Sequence, residues 1–177
     1  MRKILVFLIF SLPMIAGAQF PRKDLVKVRT MIATNAVHPG SEVKVVISAE
    51  IAKGFHINDH QPTLDYLIST KVTWDSHSAI FPGKMFYPAG EMKTFQFSKS
   101  ELSVYEGTLL IGGSIKVSSG LMPGEHRLQG NLFYQACNET ACFPPTRVPV
   151  GVKFRVVPID VHLKRLHTNI FSQVKFK

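Results

Sequence analysis

The sequence has 177 residues, a formal net charge of +9 and two cysteines. A chain of this length is typical of a single domain that can bury a core without cross-links. The lysines and arginines are spread along the chain rather than clustered. This distribution argues against a nucleic-acid-binding protein and favours a moderately basic surface attracted to acidic partners or anionic lipid.

The first 18 residues have the three parts of a secretory signal peptide. Arg2 and Lys3 form a short positive region, residues 4–15 are apolar, and residues 16–18 fit an A-x-A cleavage site. We therefore expect cleavage after Ala18 and export to a bacterial periplasm, which also argues against nucleic acid as a partner. No later apolar run approaches the ~20 residues that a transmembrane helix needs, so the sequence predicts no stable membrane insertion.

Alternating apolar residues predict a series of short β-strands separated by turn residues. In EVKVVISAEI, residues 42–51, every second residue is apolar. The other candidate strands are 25–33, 67–74, 92–97, 108–117, 127–136 and 148–157. Seven short strands without a convincing helix between them predict an all-β fold, an antiparallel β-sandwich, over residues 19–157.

Residues 158–177 form a basic C-terminal tail after the last predicted strand. Its apolar residues could line one side of a short helix that contacts a membrane or a partner; they are Val161, Leu163, Leu166 and Ile170. The alternative is a frayed terminus that packs partly on the sandwich.

Cys137 and Cys142 are the two cysteines of the chain. If 128–137 and 146–156 are adjacent antiparallel strands, residues 138–141 form a hairpin loop. The cysteines would then face each other with Cα atoms about 4.5–5.5 Å apart, within the range of a disulfide. A disulfide that closes so small a ring contributes only ~2 kcal/mol in the loop-entropy model. These arguments leave a structural disulfide and a redox pair equally open.

A metal site is a weaker interpretation of the cysteine pair. Zinc usually needs four ligands in two close pairs, and His56 and His60 are the candidates for the second pair. Gly54 and Pro62 place these histidines at a strand end or loop, so His56 is better interpreted as a half-buried structural residue. No G-x-S-x-G, H-E-x-x-H or phosphate-binding glycine motif is present, so other enzyme classes are not predicted.

Four stretches carry a family resemblance: GFHIN at 54–58, STKVTW at 69–74, LSVYEG at 102–107 and YQACNETACFPPTRVPV at 134–150. They resemble the N-terminal periplasmic domain of the thiol:disulfide interchange protein DsbD, also called the disulfide bond corrector family. The last stretch is highly specific, with an aromatic-Gln-x-Cys sequence, a short loop and Cys-x-Pro-Pro. The resemblance covers roughly 25–157 and implies an immunoglobulin-like sandwich.

The resemblance implies dithiol–disulfide exchange at Cys137 and Cys142, with neither cofactor nor metal, in a component of protein-disulfide reduction. Electrons would come from a membrane electron transporter of the DsbD type. They would pass to thioredoxin-like periplasmic proteins, including those of cytochrome c biogenesis. The resemblance also implies that Cys142 forms the mixed disulfide, that Cys137 resolves it, and that a cap stretch, residues 95–101, covers the pair through Phe95 or Phe97.

DsbD continues into membrane helices, whereas this sequence ends at Lys177. We therefore expect either a domain that docks on a separate membrane reductant or a specialised relative with different partners. The alternative function is a non-catalytic β-sandwich binding module whose hairpin carries a structural disulfide. The reduction potential distinguishes the two, because structural disulfides of secreted proteins usually lie below about −300 mV.

Overall fold

The structure is a computed structural model that describes residues 25–176. The predicted signal peptide and its cleavage site lie outside the described residues. The elements in chain order are β1 (Val26–Ile32), β2 (Glu42–Ile51), β3 (His56–Asn58), β4 (Lys71–Trp74), β5 (Ile80–Pro82), β6 (Glu91–Lys93), β7 (Leu102–Tyr105), β8 (Thr108–Val117), β9 (Gly124–Tyr134), β10 (Ala136–Cys137), β11 (Thr146–Val156) and α1 (Thr168–Phe171).

The strands form three antiparallel sheets, ordered β1-β2-β8-β5, β10-β3-β7-β6 and β11-β9-β4. Side chains from all three sheets meet in one buried cluster, which includes Ile47, Ile57, Leu132 and Val150. A second buried cluster continues the core through β2, β8, β9 and β11. The fold is an immunoglobulin-like antiparallel β-sandwich, so the predicted fold class is confirmed.

Two of the long strands lie where the alternation of apolar residues predicts them. The ranges 42–51 and 108–117 coincide with β2 and β8, which pair with each other in the middle of their sheet. In β2, Val43 and Val45 are buried whereas Lys44 between them is exposed. This alternation is expected of a strand that covers the core with one face.

Two of the other predicted strands are wrong in extent. The range 67–74 is a strand only at Lys71–Trp74, and 92–97 is a strand only at Glu91–Lys93. After Lys93 the chain leaves the sheet, and Phe95 packs against the buried side chains of Leu102 and Val104. The alternating residues of 92–97 therefore reflect a loop that returns to cover its own sheet.

The predicted hairpin is correct in its pairing and wrong in its ends. β9 and β11 pair along their whole length, but the register closes at Tyr134 and Thr146. The chain then crosses to the neighbouring sheet, where β10 pairs with β3. Pro144 and Pro145 carry no backbone N–H and cannot extend the β9–β11 ladder, which accounts for the early separation.

The C-terminal tail packs against the sandwich by backbone hydrogen bonds and a few apolar side chains. The N–H of Leu166 donates to the carbonyl of Ala33 at 2.8 Å, and Val174 and Phe176 cover Gly112 of β8. The helix is confined to Thr168–Phe171 and buries none of its residues, so the hypothesis of a short helix lined by Val161, Leu163, Leu166 and Ile170 is wrong. Within residues 25–176, no helix is both long and apolar enough to cross a membrane.

Candidate functional site

Cys137 and Cys142 form a disulfide, with their Cα atoms 3.9 Å apart, closer than the sequence predicts. They are paired as an isolated antiparallel bridge at the end of β10. The side chain of Asn138 shapes the loop between them, because its Oδ1 accepts hydrogen bonds from the N–H groups of Thr140 and Ala141 at 3.0 and 2.9 Å. The Asn138 N–H donates to the Ala141 carbonyl at 2.9 Å, so the ring is closed by its own residues.

The two cysteines differ in exposure. Cys137 is completely buried, whereas Cys142 is half-buried and is followed by the exposed Pro144 and Pro145. Thiol–disulfide exchange needs one sulfur that a partner can reach in line. Of the two cysteines, Cys142 is the more exposed.

Gln135 holds both sides of the disulfide ring in place. Its Nε2 donates to the carbonyl of Phe143 at 3.0 Å, and its Oε1 accepts a hydrogen bond from Nδ2 of the buried Asn58 at 3.3 Å. The Phe143 N–H donates to the carbonyl of Ala136 at 2.8 Å. The glutamine of YQAC and the asparagine of GFHIN therefore connect β10 to β3. The sequence alone identifies both motifs but does not indicate the hydrogen bond between them.

An aromatic stack lies beside the buried cysteine. His56 is the direct partner of Cys137 in the β3–β10 ladder. The ring of Phe95 stacks on His56 with centroids 4.0 Å apart, and the ring of Phe97 lies 5.5 Å from that of Phe95. Phe95 is 5% exposed and Phe97 is 37% exposed. We call His56, Phe95 and Phe97 the aromatic stack.

The strand alternation places this stack on the face that carries Cys137. Ile57 and Ala136 belong to the main core, and successive residues of a strand point to opposite faces. His56 and Cys137 therefore lie on the other face of the sheet, the face that Phe95 covers. The two phenylalanines of the cap stretch thus reach the direct strand neighbour of Cys137.

His56 is buried rather than half-buried, and its Nε2 has no hydrogen-bond partner among the described residues. Burial lowers the pKa of His56, because the charged imidazolium is poorly solvated there. The nearby carboxylate of Glu106 opposes this effect, and the ammonium group of Lys93 adds to it. The ring is consequently neutral near pH 7 and able to take up a proton.

A second polar centre, on Asp59, anchors the neighbouring loops. Its Oδ2 accepts hydrogen bonds from the Ser103 hydroxyl at 2.6 Å and the Gly90 N–H at 3.0 Å, and its Oδ1 accepts one from the Tyr105 hydroxyl. Burial alone would raise the pKa of Asp59, but these hydrogen bonds and one from Gln61 outweigh it and lower that pKa. The carboxylate fixes the chain before β6 onto β7. No sequence motif indicated this role.

The two histidines considered as metal ligands lie in separate surroundings. His60 stacks on Tyr87 with ring centroids 3.7 Å apart, and its Nδ1 lies 2.9 Å from the carbonyl oxygen of Thr70. His56 belongs instead to the aromatic stack beside Cys137. In the described part of the chain, no group of three or more His, Cys, Asp or Glu side chains could hold a metal ion.

The model of one protein family, described as "Thiol:disulfide interchange protein DsbD, N-terminal", matches residues 22–152. This range contains both cysteines, the aromatic stack and all but the last residues of β11. The chain belongs to the DsbD N-terminal domain family. The predicted resemblance is confirmed. No curated protein matches the chain.

Several solved structures are similar to this chain at low sequence identity. The N-terminal periplasmic domain of ScsB from Proteus mirabilis is 16% identical, with a TM-score of 0.50, 75% of this chain and 48% of that chain covered. The reduced DsbD N-terminal domain from Neisseria meningitidis is 16% identical, with a TM-score of 0.46, 83% of this chain and 94% of that chain covered. A Neisseria meningitidis structure of the complex between the DsbD and PilB N-terminal domains matches at 16% identity and a TM-score of 0.40, covering 79% and 88%. At such identities the likeness concerns the fold alone.

Proposed function

We propose that this protein is an exported thiol:disulfide interchange domain that relays electrons through Cys137 and Cys142. The observation that carries the proposal is the asymmetry of the pair. A buried cysteine and a half-buried cysteine close a ring at the end of β10, an edge strand of its sheet. Membership of the DsbD N-terminal family supports the same chemistry.

The exchange uses the two sulfurs in turn. In the reduced domain the thiolate of Cys142 attacks a partner disulfide, and one partner sulfur leaves as a thiolate. Cys137 then attacks the sulfur of Cys142, restores the Cys137–Cys142 disulfide and releases the second partner thiolate. Two electrons thereby pass to the partner, and the reverse sequence with a donor returns the domain to its reduced form.

The family implies the classes of partner. We propose thioredoxin-like periplasmic proteins, including those of cytochrome c biogenesis, as acceptors and a membrane electron transporter of the DsbD type as donor.

Residues 1–18 would be the signal peptide that directs export, residues 19–157 the exchange domain, and residues 158–177 a basic tail. Val174 and Phe176 of the tail pack on β8, whereas the cysteine ring lies at the end of β10.

We propose that the cap stretch shields the pair between encounters. The aromatic stack supports this proposal, because Phe95 lies on His56, the ladder neighbour of Cys137. Phe97 forms the outer, more exposed ring of the stack. Displacement of Phe97, the outer ring, breaks ring contacts of about 0.5–1.5 kcal/mol and costs little when a partner binds. The buried Phe95 packs against Leu102 and Val104 and is held more firmly.

The alternative is a binding module in which the disulfide is structural. The ring is small, and the two hydrophobic clusters of the core join all the long strands without it, so a structural role contributes little. The half-buried Cys142 also contrasts with the fully buried position expected of an inert cross-link. These two observations favour the exchange function.

The reduction potential of the pair tests the proposed function. We expect a midpoint between about −270 and −120 mV, the range of exchange proteins. The oxidised protein is equilibrated in thiol–disulfide buffers and alkylated, and the fractions of reduced and oxidised protein are measured by mass spectrometry. A thioredoxin in the same buffers is the reference. A midpoint below about −300 mV would contradict exchange and favour the structural disulfide.

A further inference from the structure

The buried Nε2 of His56 lacks a hydrogen-bond partner in the described structure, and its nearest strand neighbour is a cysteine. Directly opposed residues of an antiparallel ladder have Cβ atoms about 4.5–5.5 Å apart. An imidazole nitrogen can reach a cysteine sulfur across that distance. His56 is therefore the residue directly opposite the cysteine that must ionise before the ring can close.

The hydrogen bonds that Cys137 can offer to this nitrogen differ between its two oxidation states. In the disulfide, Cys137 carries no S–H and cannot donate a hydrogen bond. Reduction gives Cys137 a thiol proton, and Nε2 of a neutral imidazole accepts it in the tautomer that carries its own proton on Nδ1. Buried polar atoms are nearly always paired, and the unpaired nitrogen is available to the thiol proton that appears on reduction.

We propose that His56 is the proton acceptor for Cys137 when the mixed disulfide is resolved, and the proton donor when the domain is reduced. This inference rests on the proposed exchange function and assigns a residue to its second step. The aromatic stack keeps the imidazole in place, because Phe95 lies against its face at 4.0 Å. A ring that only filled space would be served as well by a phenyl group.

The step balances in atoms and electrons. The Cys137 proton moves to Nε2 of His56, and the resulting thiolate attacks the Cys142 sulfur. The Cys137–Cys142 bond forms, the bond between Cys142 and the partner sulfur breaks, and the partner sulfur leaves with the bonding electron pair. The imidazolium then gives its proton to that departing thiolate or to water and is neutral again.

The surroundings of His56 fix the direction of its pH dependence. Cys137 faces it from β10, and Phe95 and Phe97 face it from the cap stretch without charge. The charges that act on it are Glu106, after β7, and Lys93, in β6, which pair with each other. Because burial lowers the pKa of His56 below 6.5, the ring is a competent acceptor above that value and loses this ability as the pH falls through its pKa.

The test uses an aromatic disulfide reagent that releases a coloured thiolate, mixed with the reduced protein in a stopped-flow instrument. The first release reports attack by Cys142, and the second reports its resolution by Cys137. The His56→Phe variant keeps a ring for the stack and removes the nitrogen. The matched control is His60→Phe, which changes a histidine that stacks on Tyr87 and does not pair with a cysteine in a strand ladder.

We expect His56→Phe to slow the second release at least about tenfold at pH 7, the lower part of the effect of general base catalysis. The first release should stay unchanged, and His60→Phe should behave like the wild type. Raising the pH toward the thiol pKa of ~8.5 should restore the second release in His56→Phe, because hydroxide then removes the proton. A second release within twofold of wild type at every pH would overturn the proposal.

A measurement on the wild-type protein keeps the proposal testable if His56→Phe does not fold. NMR titration of the His56 ring gives its pKa. The rate of the second release should fall as the pH is lowered through that pKa, and the absence of this inflection would overturn the proposal. If wild type instead acquires two adducts without closing the ring, seen by mass spectrometry, the exchange function itself fails and the role of His56 with it. Ring closure at normal rates in His56→Phe would remove only the role of His56.

Discussion

A protein in which Cys137 and Cys142 are both serine should lose disulfide exchange completely and remain folded. No other cysteine is present to form the mixed disulfide. The loop-entropy model assigns a ring of this size about 2 kcal/mol, and the clusters of the core do not depend on it. We expect the free energy of unfolding in urea to fall by no more than ~3 kcal/mol.

The reduced wild-type protein is the control for this variant, because it lacks the ring but keeps both sulfur atoms. Its unfolding free energy should match that of the double serine variant to within the ~1 kcal/mol cost of a buried hydroxyl at position 137. Failure of both proteins to fold would mean that the disulfide is a structural requirement. The binding-module interpretation would then be favoured over exchange.

Removing either phenylalanine of the aromatic stack should expose the cysteine pair, with different effects on stability. Phe97 is the more exposed ring, so Phe97→Ala should cost less than about 1 kcal/mol. Loss of one ring contact of about 0.5–1.5 kcal/mol corresponds to a two- to tenfold shift in loop opening. The reduced pair should react with a small alkylating reagent faster by that factor, measured by quenched alkylation and mass spectrometry.

Phe95→Ala should have the same effect on reactivity and a much larger effect on stability. Phe95 is 5% exposed and packs against Leu102 and Val104, and truncation of a buried phenylalanine costs about 3–5 kcal/mol. Phe81 of β5, an exposed phenylalanine in another sheet, provides the control. If Phe97→Ala and Phe95→Ala both lose stability without any gain in reactivity, the two rings serve only to fill the core. Other residues would then shield the cysteine pair.

The sequence predicts the long strands well and the short ones poorly, for a physical reason. β2 and β8 each cover the core with one face, and this leaves a period of two over ten residues. β3 and β7 have three and four residues, and all of them are buried. A strand covered on both faces has no alternation to detect. Such strands are defined by their neighbours and not by their own pattern.

The candidate site shows the same contrast: its local features are predicted from the sequence, whereas its long-range contacts are not. The local spacing of Cys137 and Cys142 predicts their disulfide, because the loop between them closes on itself. The contact between Cys137 and His56 depends instead on the β3–β10 register, which joins distant parts of the chain. Phe95 and Phe97 alternate as they would in a strand, and only the tertiary fold shows that they stack over His56.

The measurement that tests the central claim most directly is covalent trapping by single-cysteine variants. The probe is a thioredoxin-like partner that keeps only its attacking cysteine, supplied as a mixed disulfide with a small thiol. In Cys137→Ala the accessible Cys142 should displace that thiol and accumulate a stable complex with the partner, because no second sulfur can resolve it.

In Cys142→Ala the remaining sulfur is the buried Cys137, so little or no complex should form. The two variants are compared on non-reducing gels at equal concentration and time, with the double serine variant as the blank. A complex with Cys137→Ala and almost none with Cys142→Ala is the result that we predict. Equal trapping by both variants would remove the asymmetry, and trapping by neither would contradict electron relay through this pair.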